Sequence, residues 1–132
     1  MSYLLDTDIC FYIINSRPEK VLHRFREVRI GSIGISSITA AELAFGVMKS
    51  GSERNKMALE MFFAPLEIFS FDESVIWQYG KLRAVLEKQG LSIGALDTMI
   101  AAHALALSAV LVTNNTREFC RVEGLHYENW AL

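Results

Sequence analysis

Asp6 and Asp8 stand in the segment SYLLDTDIC, directly behind the apolar run Tyr3-Leu4-Leu5. A buried strand has no use for carboxylates, so their place at its end is a first sign of chemistry. Further acidic and amide side chains recur behind the other apolar runs. Glu42 follows IGIS, Asp97 follows the loop QGLSIGAL, and Asn114, Asn115 and Glu118 follow AVLVT. Carboxylate and amide oxygens with no His/Cys cluster among them suit a hard divalent cation, Mg2+ or Mn2+, better than zinc. Such an ion keeps several waters, takes one or two protein carboxylates and completes its shell with phosphate oxygens. The matching chemistry is phosphodiester or phosphoryl cleavage.

Each of these residues also has a purely structural reading. Asp8 can cap the first helix. Thr39-Ala-Ala-Glu42 has the pattern of a capping box. Asp97 and Glu118 open helices, where the macrodipole favours an acid whatever its function. Asn114-Asn115 is ordinary turn chemistry. His103, on the apolar face of IAAHALAL, reads as a satisfied helix histidine rather than a base. Asp6 is the exception, because a carboxylate at the end of a strand caps nothing evident. The shared location of these residues is what argues for a site.

The elements that must position them follow from periodicity. YLL, IGIS, LEIFSF, AVLVT and LHYENW read as short strands. Between them DICFYIINS, PEKVLHRFREVR, SITAAELAFGVMKSG, SERNKMALEMFFAP, DESVIWQYGKLRAVLEKQG, LDTMIAAHALAL and NTREFCRVEG read as helical. In the third helix Ile38, Leu43, Ala44, Val47 and Met48 form the apolar stripe. Strands alternating with helices predict parallel pairing through right-handed crossovers, hence a three-layer α/β domain with a small, mainly parallel sheet. In such a sheet ligands bind beyond the carboxyl ends of the strands, where the acidic residues fall.

At 132 residues the chain suits a single domain, 1–132. Hydrophobic residues make up 52 % and mean hydropathy is +0.25, apolar for so short a chain. The excess predicts surface reserved for other chains, with Phe11, Tyr12, Met57, Met61, Phe62 and Phe63 as candidates. No apolar run reaches the roughly 20 residues of a membrane span, and no signal-peptide pattern opens the chain. Cys10 and Cys120, far apart and without metal-ligand spacing, suit a reducing cytoplasm and read as small core residues. A net charge of −2 gives no support to a nucleic-acid partner.

LLDTDIC, SSITAAELAFGVMKSG, LSIGALDTMIAAHALAL, VLVTNNTREFCRVEGL and YENW, in this order and spacing, resemble the signature segments of PIN-domain ribonucleases. More narrowly they resemble the VapC toxins of bacterial VapBC toxin–antitoxin pairs. The resemblance implies a PIN-like α/β/α fold and an acidic, Mg2+-dependent site that cuts RNA, with tRNA as a candidate target. It also implies a homodimer and a cognate VapB-type antitoxin that silences it. Carried over by position, Asp6 matches the strand-end aspartate, Glu42 the helix glutamate and Asp97 the aspartate of the IG-x-x-D segment. Asn115 stands where many PIN domains have another aspartate, and Glu118 matches an acid that some VapC relatives carry. The fourth position therefore falls to Asn115 or Glu118. Asp8 departs from the commoner Asn or Ser.

In the resulting picture Asp6, Asp97 and Glu42 hold the metal directly or through water, and Glu118 supports a second ion or its waters. A metal-activated water attacks the phosphorus. Thr7 is a candidate to orient the Asp6 carboxylate. Two other readings remain open at this level. The Asp-x-Asp after a strand also opens haloacid-dehalogenase-like phosphatases, with Asp6 as nucleophile. A non-catalytic binding module would use the same acids only as caps.

Overall fold

The computed structural model describes residues 2–132. The elements run β1 (Tyr3–Leu5), α1 (Thr7–Ile14), α2 (Glu19–Glu27), β2 (Ile33–Ser36), α3 (Ser37–Ser50) and α4 (Glu53–Phe63). Then follow β3 (Glu67–Phe69), α5 (Glu73–Lys88), α6 (Ala95–Leu107), β4 (Val110–Val112), α7 (Thr116–Phe119) and β5 (Tyr127–Glu128). The strands form one five-stranded sheet in the order β3-β2-β1-β4-β5, and every pairing is parallel.

Side chains alternate across this sheet and divide the core in two. Leu4 and Leu111 point to one face, where α5, α6 and Phe119 cover them. Leu5, Ile35 and Val112 point to the other, packed with Ile9, Val21, Leu43 and Leu59 from α1 to α4. This is the three-layer arrangement expected from the sequence. The chain builds outward from β1 through β2 to β3, then crosses to β4 and β5 on the opposite side. The reversal opens a crevice at the carboxyl ends of β1 and β4, the place where open α/β sheets bind ligands. Asp6 stands there, its N–H donating to the Val112 carbonyl at 3.0 Å.

Several expectations are corrected by packing. In α3 only Leu43 of the proposed stripe is buried, while Ala44 and Met48 face solvent. The inward face is instead Thr39 and Leu43, flanked by partly buried Ala40 and Val47. Cys10 is a core residue as expected, but Cys120 is exposed. The α7 turn has room for one buried side chain, and Phe119 fills it. Of the candidate interface residues, Phe11, Met57 and Met61 are exposed. Tyr12, Phe62 and Phe63 are partly buried against the core.

Gly34, in β2 between β1 and β3, lies under Phe69. A Cβ there would sit 2.4 Å from the Phe69 ring and 2.9 Å from the Glu67 carbonyl oxygen. The carbonyl belongs to the β2–β3 ladder and cannot withdraw. Gly34→Ala should therefore cost about 1–3 kcal/mol by overpacking, visible as a Tm lower by several degrees. An unchanged Tm would show that β3 is loosely held.

Candidate metal and active site

Three strand exits build the site. β1 ends at Leu5, and the backbone of Asp6 is extended (φ −80°, ψ 174°) before α1 begins at Thr7. Asp6, not Asp8, is the cap of α1: its Oδ1 accepts from the Ile9 N–H at 3.0 Å. Asp8 is exposed in the first turn. Asp6 is only 7 % exposed, so the fold buries a carboxylate at its centre. Thr113, directly after β4, also hydrogen-bonds the Asp6 side chain.

β2 passes straight into α3 with no loop, and Ser36 is both its last residue and the cap of α3, accepting from the Ile38 N–H. The helix therefore starts too early for Thr39-Ala-Ala-Glu42 to be a capping box. Glu42 is freed for the crevice, where its Oε1 accepts from the Thr7 hydroxyl at 2.9 Å. Thr7 thus orients Glu42 rather than Asp6. A bond of this kind ties the exit of β1 to the second turn of α3.

Asp97 occupies the first turn of α6, half-buried behind Gly94. Glu118 occupies the first turn of α7. The Asn115 amide donates from Nδ2 to Glu118 Oε2 at 2.9 Å. The Asn115 amide thus holds the Glu118 carboxylate. His103 is buried in α6, away from this crevice, its Nδ1 paired with the Ser36 hydroxyl at 2.8 Å. It is the satisfied helix histidine that the sequence suggests.

The acids perturb one another's ionisation. Burial, with lesser contributions from the charges of Asp8 and Glu42, raises the Asp6 carboxyl from 3.8 to about 6. Burial and the adjacent Glu118 raise Asp97 to about 7, with Asp6 and Glu42 adding repulsion. Glu118 moves down because protonated Asp97 donates to it. The metal-free pair thus shares one proton near neutral pH. Asp97 therefore feels Asp6, Glu42 and Glu118, and Asp6 feels Glu42.

Among the described residues no three His, Cys, Asp and Glu side chains are gathered into a ready-made metal cage. The acids instead stand as linked pairs. A hydrated hard cation asks for no more, since it binds through one or two carboxylates and completes its shell with water and phosphate. Carboxylates whose ionisation is opposed by burial and by each other gain from such a cation. The donor set fits Mg2+ or Mn2+, and Asp6 and Asp97 are the residues that could hold it, directly or through water.

Comparison with known proteins decides the family. The PIN domain family matches residues 3–125. A relative from Rickettsia felis, "Ribonuclease VapC2", is 46 % identical over 132 residues and covers 98 % of each chain. This chain belongs to the PIN-domain family, in its VapC ribonuclease branch. A second VapC relative, from Shigella flexneri, is 40 % identical over 99 % of each chain and is named tRNA(fMet)-specific endonuclease VapC. The solved structure of VapBC2 from Rickettsia felis, bound to a promoter DNA fragment, superimposes with a TM-score of 0.92. It is 45 % identical and covers 98 % of this chain and 99 % of that one. The phosphatase and binding-module readings give way to the PIN-domain assignment.

Among the described residues no helix is long and apolar enough to cross a membrane. What sequence reasoning missed at the site is the support: Thr113 on Asp6, and Thr7 on Glu42 rather than on Asp6. Thr113 had a usable signal, being a polar residue at the end of a buried strand beside the acids.

Proposed function

We propose that this chain is the endoribonuclease toxin of a VapBC-type toxin–antitoxin pair, cutting RNA with a divalent metal ion held at Asp6 and Asp97. The observation that carries this reading is the buried Asp6 at the topological switch point, with Glu42 and Asp97 within electrostatic range and Glu118 beside Asp97. A buried carboxylate whose ionisation is opposed, at the place where such sheets bind ligands, points to a functional site. Mg2+ bound in the crevice would supply activation of water and neutralisation of phosphate charge. The protein's own residues do the holding. Asp6, fixed by Ile9 and Thr113, and Asp97 would hold the ion; Thr7 steadies Glu42 and Asn115 steadies Glu118, so that both could order its waters.

The tRNA(fMet) specificity named for the Shigella relative supports a structured RNA, tRNA foremost, as substrate. A VapB-type antitoxin as partner is supported by the VapBC complex to which the chain is similar. For its docking the chain offers an apolar groove of about 290 Å3 between α1, α3 and α4, lined by Phe11, Leu43, Val47 and Leu59. Exposed Phe45, Met48, Met57 and Met61 on α3 and α4, and Trp77 on α5, leave further apolar surface for a homodimer. The place of action is the bacterial cytoplasm, and residues 1–132 act as one domain.

The test combines cells and purified protein. Expression alone should arrest growth, with co-expression of the neighbouring small gene restoring it. The purified chain should cleave total tRNA with Mg2+ or Mn2+ and stop when EDTA removes the metal. Cleavage undiminished by EDTA, or harmless expression of a soluble chain, would overturn the reading.

A further inference from the structure

A chain of side-chain hydrogen bonds crosses the rim beside the acidic crevice and belongs to none of the metal-holding groups. The Ala131 N–H donates to Asn129 Oδ1 at 2.8 Å. Asn129 Nδ2 donates to Asn114 Oδ1 at 3.2 Å, and Asn114 Nδ2 donates to the Tyr12 phenol oxygen at 3.1 Å. The polarity of this ladder has a fixed origin. A backbone N–H can only donate, so Asn129 must turn its oxygen toward Ala131 and its NH2 outward. Asn114 must then accept with oxygen and pass its own NH2 to Tyr12. The phenol oxygen is thereby the acceptor, and its O–H is left to donate to a molecule outside the ladder.

The ladder is stitched to the site. Thr113, one residue before Asn114, bonds Asp6, and Asn115, one residue after, bonds Glu118. Tyr12 lies one turn beyond Asp8 on α1. Next to it lies a shallow, wide-open cleft bordered by Tyr12, Asn15, Arg17 and Pro18. Around the crevice the rim is acidic, with Asp8, Glu42, Asp97 and Glu118, and repels a polyanion. The Tyr12 edge presents instead an aligned O–H, the second hydrogen of the Asn114 amide, and the exposed guanidinium of Arg17.

Donors at the edge of the acidic rim, where Arg17 offsets the charge of Asp8, suit an acceptor-rich strand next to a phosphodiester-cleaving centre. RNA offers acceptors at every phosphate, ribose and base edge, and aromatic rings bind unpaired bases. We propose that Tyr12 and Asn114 contact the RNA nucleotide next to the scissile phosphate, that the strand continues through the cleft to Arg17, and that Asn129 is a positioning residue that aligns the other two. This assignment rests on the ribonuclease reading above and names the path of its substrate.

The test is steady-state cleavage of total tRNA with Mg2+ by the wild type, Tyr12→Phe, Asn129→Ala and the double variant, with melting curves for each. Tyr12→Phe keeps the ring and loses the donor. It should raise KM about five- to tenfold and change kcat much less, as expected for one lost hydrogen bond to the substrate. Asn129→Ala should raise KM in the same sense without touching RNA. Because Asn129 acts through Asn114 and Tyr12, the effect of the double variant should fall clearly short of the two single effects combined. An unchanged KM for Tyr12→Phe overturns the proposal, as does full additivity of the two substitutions. A KM change that merely follows a fall in Tm below the assay temperature also overturns it. A wild type that cleaves no RNA with Mg2+ overturns the ribonuclease reading itself, a separate outcome from a wild type that cleaves while Tyr12→Phe keeps its KM.

Discussion

Asp6→Asn should abolish RNA cleavage and yield a metal-free protein that is more stable than the wild type near pH 8. Both effects come from one buried carboxylate. With Asp6 in its proposed role at the metal, its loss would remove several kcal/mol of charge stabilisation, roughly a thousandfold or more in rate. The fold does not need the charge, because Asn is as good a cap as Asp and its amide oxygen can still accept from the Ile9 N–H. The sign of the stability change follows from linkage. Burial, then the neighbouring Asp8 and Glu42, raise the Asp6 carboxyl from 3.8 to about 6 in the folded protein. The folded state therefore holds this proton more tightly than the unfolded chain. Its contribution is fully present below about pH 4 and is lost as pH rises through about 6. Above that range ionised Asp6 costs on the order of 2–3 kcal/mol, which Asn avoids. Melting curves between about pH 4 and 8 should show the wild type losing more stability than the variant. Added Mg2+ or Mn2+ should restore the wild type at the upper end and leave Asp6→Asn unmoved. A variant that folds and cuts at the wild-type rate would remove Asp6 from the metal site. A variant less stable than wild type near pH 8 would mean that the buried charge is already compensated by protein.

The elements were legible because short apolar runs are separated by strong stop signals. Asp72 caps α5 and Gly51 closes α3 with a positive φ of 66°, both as the sequence indicates. The direction of strand pairing follows from the alternation of strands with helices, and that direction alone sets the acidic residues on one edge of the sheet. Cap assignments were less legible, since they depend on where the backbone leaves a strand. Ser36, Ser37 and Thr39 all have capping side chains, and only the direct passage of β2 into α3 selects Ser36. The sequence likewise points to Asp8 as the cap of α1 and to no cap role for Asp6, and the structure reverses both. The extended conformation of Asp6 at the end of β1 makes it the cap.

The supporting bonds of the site were illegible for a different reason. Thr7 and Glu42 are 35 residues apart, and Tyr12 and Asn114 are 102 apart. Periodicity reports which face a residue takes, not which distant side chain it meets. Thr7 looked suited to the adjacent Asp6, yet Asp6 is already satisfied by Ile9 and Thr113, and the hydroxyl turns to α3. The departure at Asn115 likewise looked like a missing ligand. Its amide instead supplies the second hydrogen-bonding group of a composite unit with Glu118, a neutral donor where a further carboxylate would add repulsion.

Glu118→Gln should lower cleavage by about ten- to a hundredfold, weaken Mg2+ or Mn2+ binding and raise the Tm of the metal-free protein at alkaline pH. Asp97 and Glu118 share one proton in the absence of metal, with Asp97 raised to about 7 and Glu118 displaced downward. Above that pH both carboxylates ionise, and the pair repels itself. A neutral amide in place of the Glu118 carboxylate removes this repulsion, so the gain in Tm should be small near pH 6 and grow toward about pH 9. Metal binding is expected to fall because the cation is attracted by the same pair of charges that the free protein finds unfavourable. Asn115→Ala separates the charge from its support. It leaves Glu118 ionised but no longer held at Oε2, so cleavage should fall less than in Glu118→Gln and the metal-free Tm should not rise. The double variant should resemble Glu118→Gln alone, since the amide acts on the metal site through that carboxylate. Isothermal titration with Mn2+ and melting curves at two pH values, beside cleavage assays, measure all three properties. If Glu118→Gln keeps full activity and destabilises the metal-free protein, Glu118 serves only to start α7, and Asp6, Glu42 and Asp97 carry the site without it.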